Sequence, residues 1–218
     1  MKENLIYRKF IITEDQRYFL AEKDEIFKKL INVIGKIDNN YIPDPFIALV
    51  NSVIYQALSF KACTIIWNRF CNLVGELTPS NLLKISDIEI RNCGISISKI
   101  KYIKNIAEAF IKGKIDLNFD ALSNKEIVKE LTSIKGVGKW TAQMFLTFGL
   151  YRKDIISYSD LAIRRGIEWL YQMDHELTQI EFNELEKKFS PYNTIASLYL
   201  WEITLRKLFD FKTIYDVQ

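Results

Sequence analysis

With one histidine, three cysteines and four prolines in 218 residues, the sequence is poor in the side chains that most metal and nucleophile chemistry needs. His175 is the lone histidine, which excludes multi-histidine zinc sites and facial-triad iron sites. Any Ser-His-Asp mechanism would have to run through it. Cys63, Cys71 and Cys93 are widely spaced and odd in number. They cannot hold a four-thiolate iron–sulfur cluster or pair off completely, and they read as reduced, intracellular and mostly buried. Charge of one sign is lacking too: 30 basic side chains against 27 acidic ones leave +3. So small an excess permits nucleic-acid binding without arguing for it. The longest charge-free run, Pro45 to Phe60, contains Asn51, Ser52 and Gln56 and falls short of the roughly 18 apolar residues a membrane span needs. Met1 to Phe10 alternates charged and apolar residues without a signal-peptide core, so a soluble, cytoplasmic protein is expected.

What is present is the composition of an ordinary globular protein, 49% hydrophobic and 26% charged. Its patterning is helical from end to end. Phe27, Leu30, Ile31 and Ile34 make an i, i+3, i+4, i+7 stripe that Gly35 ends. Pro45 opens a helix through Ile47, Val50, Val53 and Ile54, and another covers about 61–74. Ile100, Ile103, Ala107 and Phe110 line a helix that stops at Gly113, and Ser123 with Glu126 forms a capping-box pair. Val137, Trp140, Met144 and Phe148 stripe a further helix, and more helix is expected over 160–171 and after Pro191. No strand pair or internal repeat stands out. The fold class is all-α.

The stretch 131–142, Leu-Thr-Ser-Ile-Lys-Gly-Val-Gly-Lys-Trp-Thr-Ala, is the most informative. One amphipathic helix ends, Gly136 and Gly138 allow a sharp turn, and a second helix begins at once. Main-chain N–H groups at that helix start suit a phosphate, and Lys135 and Lys139 add cationic side chains. An ordinary tight helix–helix connection would use the same residues.

This stretch resembles the helix-hairpin-helix of the HhH-GPD superfamily of DNA base-excision glycosylases, and more narrowly its 3-methyladenine DNA glycosylase II branch. The resemblance extends from about Tyr18 to Trp201, through Pro45–Ser59, Glu76–Ser80, Arg91–Ile95 and Pro191–Trp201. It implies two helical subdomains with a cleft between them. One is discontinuous, 1–44 with 151–218; the other is 45–150 and carries the hairpin at about 123–149. Asp160, twenty-two positions beyond Gly138, fills the place of the catalytic aspartate. On its own the same residue reads as the N-cap of the helix that follows. The chain departs from the family loop Gly-Gln-Gln, with Tyr55-Gln56-Ala57 in its place.

The resemblance further implies monofunctional hydrolysis of alkylated purines from flipped nucleotides in damaged duplex DNA, by a monomer. Trp140 occupies the position, two beyond Gly138, where strand-cleaving relatives place a lysine. Trp140, Trp201, Met144 and Tyr55 map to the base pocket. Lys135, Gly136, Val137, Gly138, Lys139 and Thr141 map to the DNA backbone, and Leu58 with Gln56 to the wedge that fills the duplex gap. No cofactor is required. A structural Na+ or K+ in family hairpins would map to the main-chain carbonyls of Thr132, Ile134 and Val137. A different lesion, oxidised or deaminated, and a non-catalytic DNA-binding module are the competing readings.

Overall fold

The computed structural model describes residues 7–115 and 118–217; residues 1–6 of the amino-terminal segment read above lie outside it. The elements run β1 (Arg8–Phe10), α1 (Glu14–Lys23), α2 (Glu25–Ile34), β2 (Asn39–Tyr41), α3 (Pro45–Ile54), α4 (Phe60–Val74), α5 (Pro79–Lys84) and α6 (Asp87–Asn92). They continue with α7 (Ile97–Ile111), α8 (Asn124–Leu131), α9 (Lys139–Phe148), α10 (Leu161–Leu170), α11 (Gln179–Phe189) and α12 (Asn193–Leu205). The chain is all-α apart from the sheet formed by β1 and β2. That strand pair is absent from the sequence reading because strands of three residues are too short to display a period of two.

Local signals account for where the helices start. Among the described residues, ten of the twelve α-helices open on a Ser, Thr or Asp whose side chain accepts a first-turn N–H. The exceptions are α9, which opens on Gly138, and α12, which opens on Tyr192.

The chain divides into two compact units. The first is Tyr41–Leu150, with Tyr7 and Arg8 grouped with it; the second combines Lys9–Asn40 with Tyr151–Gln218. The segment 41–44 therefore groups with the central helices, where the sequence reading assigned it to the terminal ones. In the first unit α3 is buried on nearly every side, through Phe46, Leu49, Val50, Val53 and Ile54, and it packs against α7 and α9. Gly149 permits one close approach: a Cβ there would lie 2.8 Å from the Ala48 Cβ.

The second unit is centred on Leu20, Phe27, Leu30, Ile163, Ile167, Tyr199 and Ile203. Gly166 lets α10 approach α12 closely, since a Cβ there would lie 3.2 Å from the Leu200 carbonyl oxygen. The buried Asp24 carboxylate accepts Phe27 N–H at 2.8 Å, the Tyr171 hydroxyl at 3.0 Å and the Lys188 ammonium. Burial, with Asp24 adjacent, pushes the Tyr171 phenol far above the ordinary tyrosine range.

Candidate nucleic-acid interface and catalytic carboxylate

In the first unit, α8 and α9 flank the turn 132–138. Ser123 and Glu126 close the capping box that starts α8. The turn is tight: Val137 N–H donates to the Ile134 carbonyl at 3.0 Å, and Gly136 takes φ +103°. A side chain at Gly136 would collide with the Tyr102 ring, whose Cγ lies 2.1 Å from the Cβ position. Asn105 Nδ2 donates to the Lys135 carbonyl at 3.0 Å, so α7 supports the turn from below.

Gly138 has no side chain to cap α9. The first-turn N–H groups, unbonded within the helix by geometry, point out of a helix end with partial positive charge. Lys135, Gly138 and Lys139 are exposed around it. Such an arrangement suits a phosphate.

Two of the residues expected at the DNA backbone, Thr141 and Val137, have buried side chains. Thr141 is 1% exposed, and its hydroxyl accepts Gln56 Nε2 at 2.6 Å. The α9 register turns that side chain inward, while its main-chain N–H lies in the first turn of the helix. Val137 is buried, and its N–H is already committed to Ile134. Gln56, expected in the wedge, directs its amide into the hairpin, also reaching the Gly136 carbonyl at 3.3 Å. Leu58 does project, 44% exposed, and so does Phe60, 62% exposed, an aromatic the sequence reading passed over. An apolar residue beside a loop glutamine was the available signal.

The expected pocket residues fall on both units. In the first, Trp140 and Tyr55 are half-buried and Met144 is buried. The Tyr55 ring meets Phe60 at 6.3 Å, and burial pushes its phenol up. The buried face of α9 is wider than the stripe through Val137, Trp140, Met144 and Phe148, because Thr141, Ala142, Phe145 and Leu146 are buried as well. In the second, Trp201 is half-buried against the hydrophobic core.

Asp160 stands in the second unit at the start of α10. A turn closed by Asp160 N–H on the Ser157 carbonyl, 3.1 Å, aims its side chain back over the helix end. Its Oδ1 accepts the N–H groups of Ala162 at 2.9 Å and Ile163 at 3.1 Å, and the residue is 7% exposed. The cap is compatible with the expected catalytic role, since a helix N-terminus suits a negative carboxylate and fixes its orientation. Arg164, one turn on, lies over the Tyr158 ring at 5.4 Å. His175 is exposed, bonded to Asp174 and Glu181.

Among the described residues no group of three His, Cys, Asp or Glu side chains is arranged to hold a metal ion. The hairpin carbonyls of Thr132, Ile134 and Val137 are a different kind of donor, neutral and in one turn. Ile134 keeps a second lone pair beside its bond from Val137, so the set fits a monovalent cation better than a divalent one. No helix of the described residues is long and apolar enough to cross a membrane.

An all-helical chain with this hairpin and a carboxylate fixed beyond it belongs to a defined class of DNA-repair proteins. Residues 50–191 match the HhH-GPD superfamily base excision DNA repair protein family, and the chain is a member of it. It is 36% identical over 204 residues to DNA-3-methyladenine glycosylase 1 of Schizosaccharomyces pombe, covering 88% of this chain and 87% of the relative. The solved structure of the Schizosaccharomyces pombe 3-methyladenine DNA glycosylase in complex with abasic DNA superposes with a TM-score of 0.79 and 34% identity. That match covers 90% of this chain and 98% of the other. DNA-3-methyladenine glycosidase from Bacillus halodurans gives a TM-score of 0.76 and 30% identity over 96% and 97% of the two chains.

Proposed function

We infer that this protein is a monofunctional DNA glycosylase that hydrolyses the N-glycosidic bond of alkylated purines in duplex DNA, leaving an abasic site. The observation that carries the reading is Asp160, a carboxylate held at 7% exposure by two main-chain N–H groups. It follows a hairpin built for phosphate, in a chain similar over most of its length to a 3-methyladenine glycosylase.

The chemistry asks for little more. Alkylation at purine N3 or N7 makes the base cationic and a good leaving group, so no dedicated general acid is needed. Positive charge develops on the deoxyribose as the bond breaks, and a fixed carboxylate opposes it. Water then attacks the sugar, with Asp160 stabilising the cation or accepting the water's proton. The base must first be rotated out of the stack. In the first unit Trp140, Tyr55 and Met144, and in the second Trp201, are the aromatic and polarisable side chains of the kind a cationic base favours. Lys135, Gly136, Gly138 and Lys139 hold the backbone, and the carbonyls of Thr132, Ile134 and Val137 would hold a Na+ or K+, which would add positive charge at the turn. The protein acts as a monomer, on duplex DNA inside the cell.

The test is base release from duplexes carrying 3-methyladenine, 7-methylguanine, hypoxanthine or 8-oxoguanine. Methylated purines are expected to be released, and Asp160→Asn to slow release by about 10²-fold or more with duplex binding intact. Tight binding with no release from any duplex would make the protein a binding module instead.

A further inference from the structure

α7 carries three polar or aromatic side chains at a spacing of three, Lys99, Tyr102 and Asn105, and all three contact segments that meet DNA on the reading above. Tyr102 and Asn105 support the hairpin turn. Lys99 reaches the other way. Its Nζ donates to the Ile54 carbonyl at 2.8 Å and the Gln56 carbonyl at 2.6 Å, at the C-terminal end of α3. There the last carbonyls have no helical partner and carry the negative end of the dipole, so an ammonium suits them. Gln56, held by Lys99 through its main chain, holds the hairpin through its side chain. The loop 55–59 and the turn 132–138 are thus joined by one continuous set of bonds.

The loop needs that restraint. Ala57 sits at φ +52°, a left-handed conformation that a residue with a Cβ adopts at a cost. The next residue is Leu58, projecting into solvent. A free loop of this sequence would relax Ala57 and let Leu58 settle elsewhere. We propose that Lys99 and Gln56 are positioning residues that latch the loop 55–59 to the hairpin, so that the phosphate grip and the side chain entering the duplex gap are set in one rigid register. The proposal rests on the base-excision reading, since a protein that does not open the duplex has no use for a positioned wedge. Burial draws the Lys99 ammonium below the usual lysine range, as expected for a cation held against carbonyls rather than a carboxylate.

The variants are Lys99→Met and Gln56→Ala, with Lys99→Arg as the conservative rescue, each compared with the parent for melting temperature. Affinity of Lys99→Met for an abasic-site duplex should stay as in the parent, because Lys99 bonds only the 54 and 56 carbonyls and leaves the hairpin untouched. Gln56→Ala also removes a bond to the turn and should bind more weakly. Single-turnover release of a methylated purine from a fully paired site should fall about ten-fold or more. Release of the same base from an unpaired bulge should not change, and Lys99→Arg should recover the paired rate. Hydrogen exchange gives a readout independent of activity: amides of 55–59 should be protected by abasic duplex in the parent and not in Lys99→Met, with 132–139 protected equally in both. Equal losses on paired and bulged substrates, or unchanged protection of 55–59, would overturn the latch. A parent that releases no base, yet shows Lys99-dependent protection, would overturn the base-excision reading and leave the latch standing.

Discussion

Gly136 and Gly138 stand two positions apart and require glycine for different reasons. At Gly136 the backbone is left-handed and the Tyr102 ring fills the space a side chain would take. At Gly138 φ is −85° and a Cβ would meet nothing within 4 Å; the free protein accepts a side chain there, and only an approaching phosphate would object. Gly136→Ala should therefore lower stability by about 1–3 kcal/mol, read as a reduced melting temperature. Gly138→Val should melt like the parent and bind all duplexes more weakly, because phosphate contacts position without reading sequence. Its salt dependence should also become shallower. Parental duplex affinity in Gly138→Val would remove the hairpin from the interface. In the sequence the two glycines are indistinguishable, because the residue that separates them, Tyr102, belongs to another helix. Asp160 was legible for the opposite reason: its partners, Ala162 and Ile163, are its own neighbours.

Helices could be read wherever a stripe and a cap coincided, as in α2, α7 and α8. α1 lacks the stripe, burying only Gln16 and Leu20, and α11 has a sparse one, Phe182, Leu185 and Phe189. Both nonetheless carry capping boxes, Thr13 with Gln16 and Thr178 with Glu181, which would have located their first turns. The α11 box includes a titrating neighbour. Hydrogen bonds that His175 donates to Asp174 and Glu181 raise its pKa, so its contribution is full below the ordinary histidine range, about 6.5, and is lost as pH rises through the raised value. Glu181 is held down at about 2, by the Thr178 hydroxyl first and His175 next. Its contribution is full above the ordinary glutamate range, near 4.3, and fades as pH falls towards 2. The start of α11 should be most stable between those limits. Melting temperatures across this range should show His175→Gln lagging the parent at mildly acidic pH and converging with it in alkali, while base release at neutral pH is unaffected. A gap that widens with rising pH would contradict the assignment.

At the scale of the whole molecule, the absence of a positioned amine decides the chemistry of the product. Trp140 is half-buried where strand-cleaving relatives place lysine, and Lys139 beside it is exposed. Borohydride should trap no covalent complex with damaged DNA, and strands should break only after hot alkali or an added lyase. Trapping abolished by Lys139→Gln would make that lysine a nucleophile and end the monofunctional reading. The pairing of the chain's two ends into one unit could not be read locally; it came only with the resemblance, because contacts between Lys9–Asn40 and Tyr151–Gln218 leave no mark on either segment alone. That discontinuity also orders events on the ribosome. The central helices emerge as one continuous block and are free to fold first, whereas α1 and α2 must wait, with Phe27, Leu30 and Ile31 uncovered, until α10 and α12 are made. A nascent chain therefore completes the hairpin of α8 and α9 before Asp160 can be held in place. A message truncated near Leu150 is expected to encode a chain that binds duplex and releases no base.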